Sequence, residues 1–184
     1  MGIDPSPDLL QASTPLLKRA ADLLDRVSEV FADESRWCRG AYAKDAEGEP
    51  IEGPILEAVE RSEVASRCVL GELLHQGLAR GYRIELETTD TPDGQIAHDI
   101  PRAPAGWMVA ALALDLAVRS SNEQHTRRAD ALRAKYPPRR PITPGQVVLR
   151  TTVFNDNHSY EDAIRCVALA AQMLRAELDR RAQE

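Results

Sequence analysis

The stretch STPLLKRAADLLDRVSEVFA, residues 13–32, decides how the rest of the chain is read. Ser13-Thr14-Pro15 is a helix start, with Thr14 expected as N-cap and Pro15 at the first helical position. Leu17, Ala20, Leu24, Val27 and Phe31 follow at steps of three and four, and Leu16, Leu23 and Val30 widen the stripe. That period predicts an amphipathic helix to about Ala32. Such a helix draws most of its stability from a covered apolar face. The chain must therefore supply partners of the same kind.

It does so three more times. A second helix is expected over residues 62–78, with Ser62 as cap, Val64, Ala65, Cys68, Val69, Leu73 and Leu74 as its apolar content, and Gly77 and Gly81 at its end. A third follows Pro104 through Trp107, Val109, Leu112, Leu114, Leu116 and Val118. The last begins at Ser159, where Ser159-Tyr160-Glu161-Asp162 resembles a capping box with Asp in place of Glu. It runs to about Arg180. The first, second and last long helices are expected to form the core.

Strand signals are minor. Asp45-Ala46-Glu47-Gly48 reads as a type I turn. Its flanks, 41–44 and 49–51, suit a very short hairpin in which Pro50 takes an edge position. Residues 82–87 and 146–154 are expected as strands, the latter for its run of Val and Thr. Residues 88–104 read as a loop. The fold class expected is mostly α: one helical domain over 1–184 with a short hairpin and minor strands, a flexible N-terminus at 1–12, and a polar, basic, mobile segment at 121–145.

Composition narrows the function classes. Of 184 residues, 43% are hydrophobic but only 4% aromatic, so small aliphatic side chains build the core. The net charge of −6 argues against general nucleic-acid binding, which needs a positive field. Cys38, Cys68 and Cys166 are odd in number and form no CxxC pair, which reads as reduced thiols. No run reaches about 18 apolar residues, and no basic region precedes an apolar one at the start, so a cytoplasmic protein without a membrane span is expected. There is no P-loop, GxGxxG or GxSxG. No cofactor and no metal site are expected; a zinc site would have to converge from distant segments without a paired ligand motif.

Three places carry candidate chemistry. In RWCRGAYAKDAEG, residues 36–48, packing beside Trp37 is the expected role of Cys38. The alternative is a nucleophile, which needs a nearby base and a lowered pKa. In residues 154–159, read as a polar loop, Asp156 and His158 suit an acid/base pair or a polar ligand, although Asn, Asp and Ser are also what a turn into a helix requires. Arg127, Arg128, Arg133, Lys135, Arg139, Arg140 and Arg150 form a basic segment opposed only by Asp130. It suits phosphates or an acidic partner. Leu-rich helices also suit a homo-oligomer.

Three segments together resemble DUF6197, a family of uncharacterised bacterial and phage proteins. The first is Trp37-Cys38 with Gly40, Ala43, Asp45 and Gly48; the second is Cys68 with Gly71 and Leu73; the third is Phe154-Asn155-Asp156 leading into the helix from Ser159. Glu72 stands where Ala is more usual, Phe154 where Trp is common, and residues 82–104 form a longer insertion. The resemblance implies an actinobacterial-type cytosolic or phage-encoded protein and brings no assigned chemistry. It places Trp37, Asp45, Asn155 and Asp156 on the pattern, and these join Arg127, Arg128, Arg139 and Arg140 as expected binding residues. The leading expectation is a non-enzymatic binding or regulatory module with a protein partner. The alternatives are a small enzyme using Cys38 with Asp45, Asp156 or His158, and a phage or mobile-element protein that grips a host complex through the basic segment.

Overall fold

The computed structural model describes residues 12–89, 98–102, 105–121 and 144–184. Helix α1 (Thr14–Val30) starts one residue earlier than the sequence suggests. Ser13 is the N-cap, in extended conformation, and its carbonyl accepts from the Leu16 and Leu17 amides. Pro15 takes the second helical position, where its missing N–H is still no loss. A 3-10 turn (Glu34–Arg36) follows, capped by Asp33, whose carboxylate accepts from the Ser35 amide.

Next come β1 (Ala43–Lys44), the short α2 (Ile55–Ala58), β2 (Ser66–Arg67) and α3 (Val69–Ala79). The second helix thus begins at Val69 rather than at Ser62. The reason is backbone pairing. β2 runs antiparallel to β1, and the Ala65 and Cys68 amides donate to Lys44 and Tyr42 carbonyls. Those amides are committed to a ladder, and Cys68 becomes the cap of α3. The expected turn at 45–48 forms: the Gly48 amide donates to the Asp45 carbonyl, and Gly48 takes the positive φ (86°) that a side chain would resist. A bridge from Lys44 to Pro50 closes the hairpin.

β3 (Glu85–Thr89) and β4 (His98–Arg102) pair antiparallel, so part of 88–104 is strand and not loop. Helices α4 (Ala105–Ser121), α5 (Pro144–Asn157) and α6 (Tyr160–Ala182) complete the chain. The strand expected at 146–154 is therefore helix. Thr151, Phe154 and Asn155 are buried, at helical spacing on one face, and that burial overrides the β preference of Val and Thr. The capping box at Ser159 forms as expected, its hydroxyl accepting from the Asp162 amide at 3.2 Å.

The protein is mostly helical. Its core is wider than the three helices expected. α1 packs against α6, α4 and α3, and α4 packs in turn against α6 and α5. Leu17, Leu23, Leu24 and Val27 of α1 meet Leu114 and Ala117 of α4, Leu73 and Leu74 of α3, and Val167 and Leu174 of α6 in one apolar cluster. Each large aliphatic side chain so buried contributes about 1.5–3 kcal/mol. Trp107, fully buried on α4, donates its indole N–H to the Leu73 carbonyl of α3 at 3.1 Å. The expected flexible N-terminus (residues 1–11) and most of the basic segment (residues 122–143) lie outside the described residues.

Candidate functional site

Asn155 sits in the last turn of α5, not in a loop, and is 1% exposed. Its Oδ1 accepts from Trp37 Nε1 at 2.8 Å and from the Val69 amide at 3.2 Å. Its Nδ2 donates to the Cys38 carbonyl at 3.0 Å and to Asp156 Oδ1 at 3.4 Å. An Asn amide offers two acceptor lone pairs and two donors. Here all four are matched, and by groups from three separate parts of the chain.

The neighbours tighten the same joint. Asp156 Oδ1 accepts from the Gly40 amide at 2.7 Å, and the Cys38 amide donates to the Arg67 carbonyl at 3.0 Å beside a parallel bridge from Trp37 to Arg67. The Trp37 ring lies 6.0 Å from that of Tyr160, whose hydroxyl donates to the Phe31 carbonyl. The structure thus brings Trp37, Cys38, Asn155 and Asp156 together. Asp45 belongs instead to its own turn, where its carboxylate accepts from the Glu47 and Glu49 amides. His158 stacks on Phe154 with ring centroids 3.9 Å apart, and its Nδ1 meets the Phe154 carbonyl at 2.9 Å, which fixes the proton on that nitrogen. Arg127, Arg128, Arg139 and Arg140 fall outside the described residues.

The thiols are packed. Cys38 is 7% exposed and its Sγ faces the Ala41 carbonyl at 3.6 Å. Burial pushes its pKa up, against the smaller opposing pull of Ser66, Lys44 and Arg67. Cys68 is sealed, and burial pushes its pKa up to about 12. Its sulfur accepts from the Gly71 amide at 3.2 Å, doing for α3 what a Ser or Asp cap would do. A nucleophilic thiol needs the opposite trend. Cys166 lies in the helical core. Among the described residues no group of three or more His, Cys, Asp or Glu is placed to hold a metal ion. No helix among them is long and apolar enough to cross a membrane.

A second polar cluster lies behind β2, and sequence reasoning missed it. Arg67, 6% exposed, donates from Nε to the Val59 carbonyl at 2.8 Å and from Nη1 to Glu72 Oε2 at 3.4 Å. Glu72, 1% exposed, accepts at its other oxygen from Gln76 Nε2 at 2.7 Å. Burial holds the Arg67 pKa below its ordinary value. His75, one turn beyond Glu72, has a lowered pKa, first from burial and then from Arg67. The available signal was Glu72 itself: a charge inside an apolar helix, four residues before a Gln that can reach it.

Fold and joint define a mostly helical protein whose conspicuous polar side chains are turned onto its own backbone. Compared with family models, curated proteins and solved structures, the chain matches none.

Proposed function

We propose that the chain is a non-enzymatic binding or regulatory module. The observation that supports this is the use made of Asn155. Asn155, on which polar groups from distant segments converge, spends its hydrogen-bonding capacity on Trp37, Cys38, Val69 and Asp156 of the same chain. Its two thiols have raised pKa values. A catalytic site needs groups with capacity left for a substrate.

Trp37, Cys38, Cys68 and Phe154-Asn155-Asp156, the residues that resemble the DUF6197 pattern, come from three segments of sequence that the Asn155 amide joins. On this reading the pattern marks a joint, and a protein partner is met elsewhere on the surface.

Thiol labelling tests the proposal. Native protein treated with iodoacetamide near pH 7 is expected to leave Cys38 unmodified over times in which urea-unfolded protein is fully labelled. Rapid alkylation of native Cys38, or turnover of a hydrolase or transferase substrate that Cys38→Ala abolishes, would replace this reading with the cysteine enzyme.

A further inference from the structure

His75 projects from α3 toward the segment that precedes the helix. Its Nδ1 is sealed from solvent and has no hydrogen-bond partner among the described residues. The charged groups acting on the ring are Arg67 of β2, Glu72 of its own helix, Glu60 just after α2, and Arg36 of the 3-10 turn. Arg36 and Glu60 are exposed; Arg67 and Glu72 are buried.

Consider what a proton does there. His75 is half-buried and only its Nδ1 is sealed; a neutral ring with its hydrogen on Nε2 leaves there a lone pair, which costs less than an unmatched N–H. The imidazolium carries N–H on both nitrogens, so a buried donor is left unmatched. It also sets a third cation beside Arg67 and Arg36. Glu72 is already engaged by Arg67 and Gln76, which leaves exposed Glu60 as the only opposing charge of the four that is free to respond. Arg67 is the residue most affected. Its guanidinium holds the Val59 carbonyl, and its backbone pairs with both Trp37 and Ala43. Repulsion at Arg67 therefore acts on every tie between residues 36–67 and α3 that runs through β2.

We propose that His75 is an acid-sensitive latch: when it takes up a proton, Arg67 loosens from Val59 and Glu72, and residues 36–67 part from α3 while α1, α4 and α6 stay packed. Neutral His75 favours the latched form. The stability it supplies is complete above the unfolded-state pKa of about 6.5 and falls away as the pH drops below it.

Amide hydrogen exchange with NMR detection tests this on the full chain at pH 7.5 and pH 5.5, with protection factors corrected for intrinsic exchange. The amides of Cys38, Ala65 and Cys68 are expected to lose more protection at pH 5.5 than those of Val27 and Leu174, by up to about tenfold, the ceiling that linkage sets one unit below the unfolded-state value of about 6.5. In His75→Gln, which cannot take the proton, that difference is expected to vanish. Equal loss at both sets of amides, or the same local loss in H75Q, overturns the proposal. Should H75Q not fold, the imidazole titration of the wild-type protein decides. A His75 midpoint below 6.5 that tracks the loss of Cys68 protection supports the latch, and a midpoint at or above 6.5 overturns it.

Discussion

Asn155→Ala is the substitution from which the structure yields the clearest magnitude. It removes both the acceptor and the donor of the amide, and three groups outside α5 lose a partner: Trp37 Nε1–H, the Val69 N–H and the Cys38 carbonyl. Val69 and Cys38 are buried, so water does not readily replace the amide. Each buried group left unmatched costs about 1–3 kcal/mol. The indole of Trp37 is half-buried and can turn toward solvent, so about 1 kcal/mol is appropriate there. The sum is about 3–7 kcal/mol, a large share of the 5–15 kcal/mol typical of a folded domain.

Urea denaturation followed by circular dichroism measures this. At about 2–4 °C per kcal/mol for a chain of this size, the thermal midpoint should fall by roughly 6–28 °C. Asn157→Ala is the matched control. Asn157 is exposed and makes one bond, to the Val153 carbonyl, and its loss should stay within about 0.5 kcal/mol. The joint also holds the Cys38 carbonyl, so alkylation of Cys38 in folded N155A should run faster than in the wild type. A destabilisation under about 1 kcal/mol, or unchanged Cys38 reactivity, would refute the claim that Asn155 ties three segments together.

Glu72→Ala should cost about 3–5 kcal/mol in a urea melt, because it strands the Arg67 guanidinium in a buried place; the double variant R67M/E72L should recover much of that loss. Gly71→Ala should destabilise by about 1–3 kcal/mol or more, since the added Cβ would lie 2.1 Å from the Tyr42 carbonyl oxygen, and calorimetry should show the drop. Arg180 and Arg181 hold the Glu177 carboxylate down to about 2, so its contribution should persist above the unfolded Glu value of about 4.3 and fade as the pH drops toward 2; the E177Q variant should show a flatter stability profile across that window.

The helices were legible where amphipathic period and end signals agreed. α1 and α6 carry both, and their bounds were read to within two or three residues. The pattern places the start of α3 too early because its apolar stripe continues backward through Val64 and Ala65, which are strand-side residues. What stops the helix is a ladder to Lys44 and Tyr42, contacts more than 20 residues away that local pattern does not encode. α5 was misjudged for the converse reason. Val147, Val148, Thr151, Thr152 and Val153 look like a strand by composition. The helix is instead fixed by burial of Thr151, Phe154 and Asn155. Propensity is a weak term, and one face of packed side chains outweighs it.

The site was half legible for a related reason. Trp37, Cys38, Asn155 and Asp156 stand out as residue types, but nothing in their spacing says that they bond to one another across more than 110 positions. Read apart, Trp37-Cys38 suggests a packed anchor, and Asp156 with His158 a turn or an acid/base pair. Read together, Asn155 matches its donors and acceptors with groups of Trp37, Cys38, Val69 and Asp156. Arg67 and Glu72 show the same principle in reverse. Glu72 is an acid inside an apolar helix, which in isolation would be costly. The cost is offset because Arg67, placed by β2, reaches it from outside the helix while Gln76 reaches it from within. A short pattern of polar residues thus specifies a joint when its members complete one another, and a binding or catalytic site only when capacity is left over. Asn155 is completed internally, whereas among the described residues His75, which no pattern marked, keeps a buried Nδ1 without a partner.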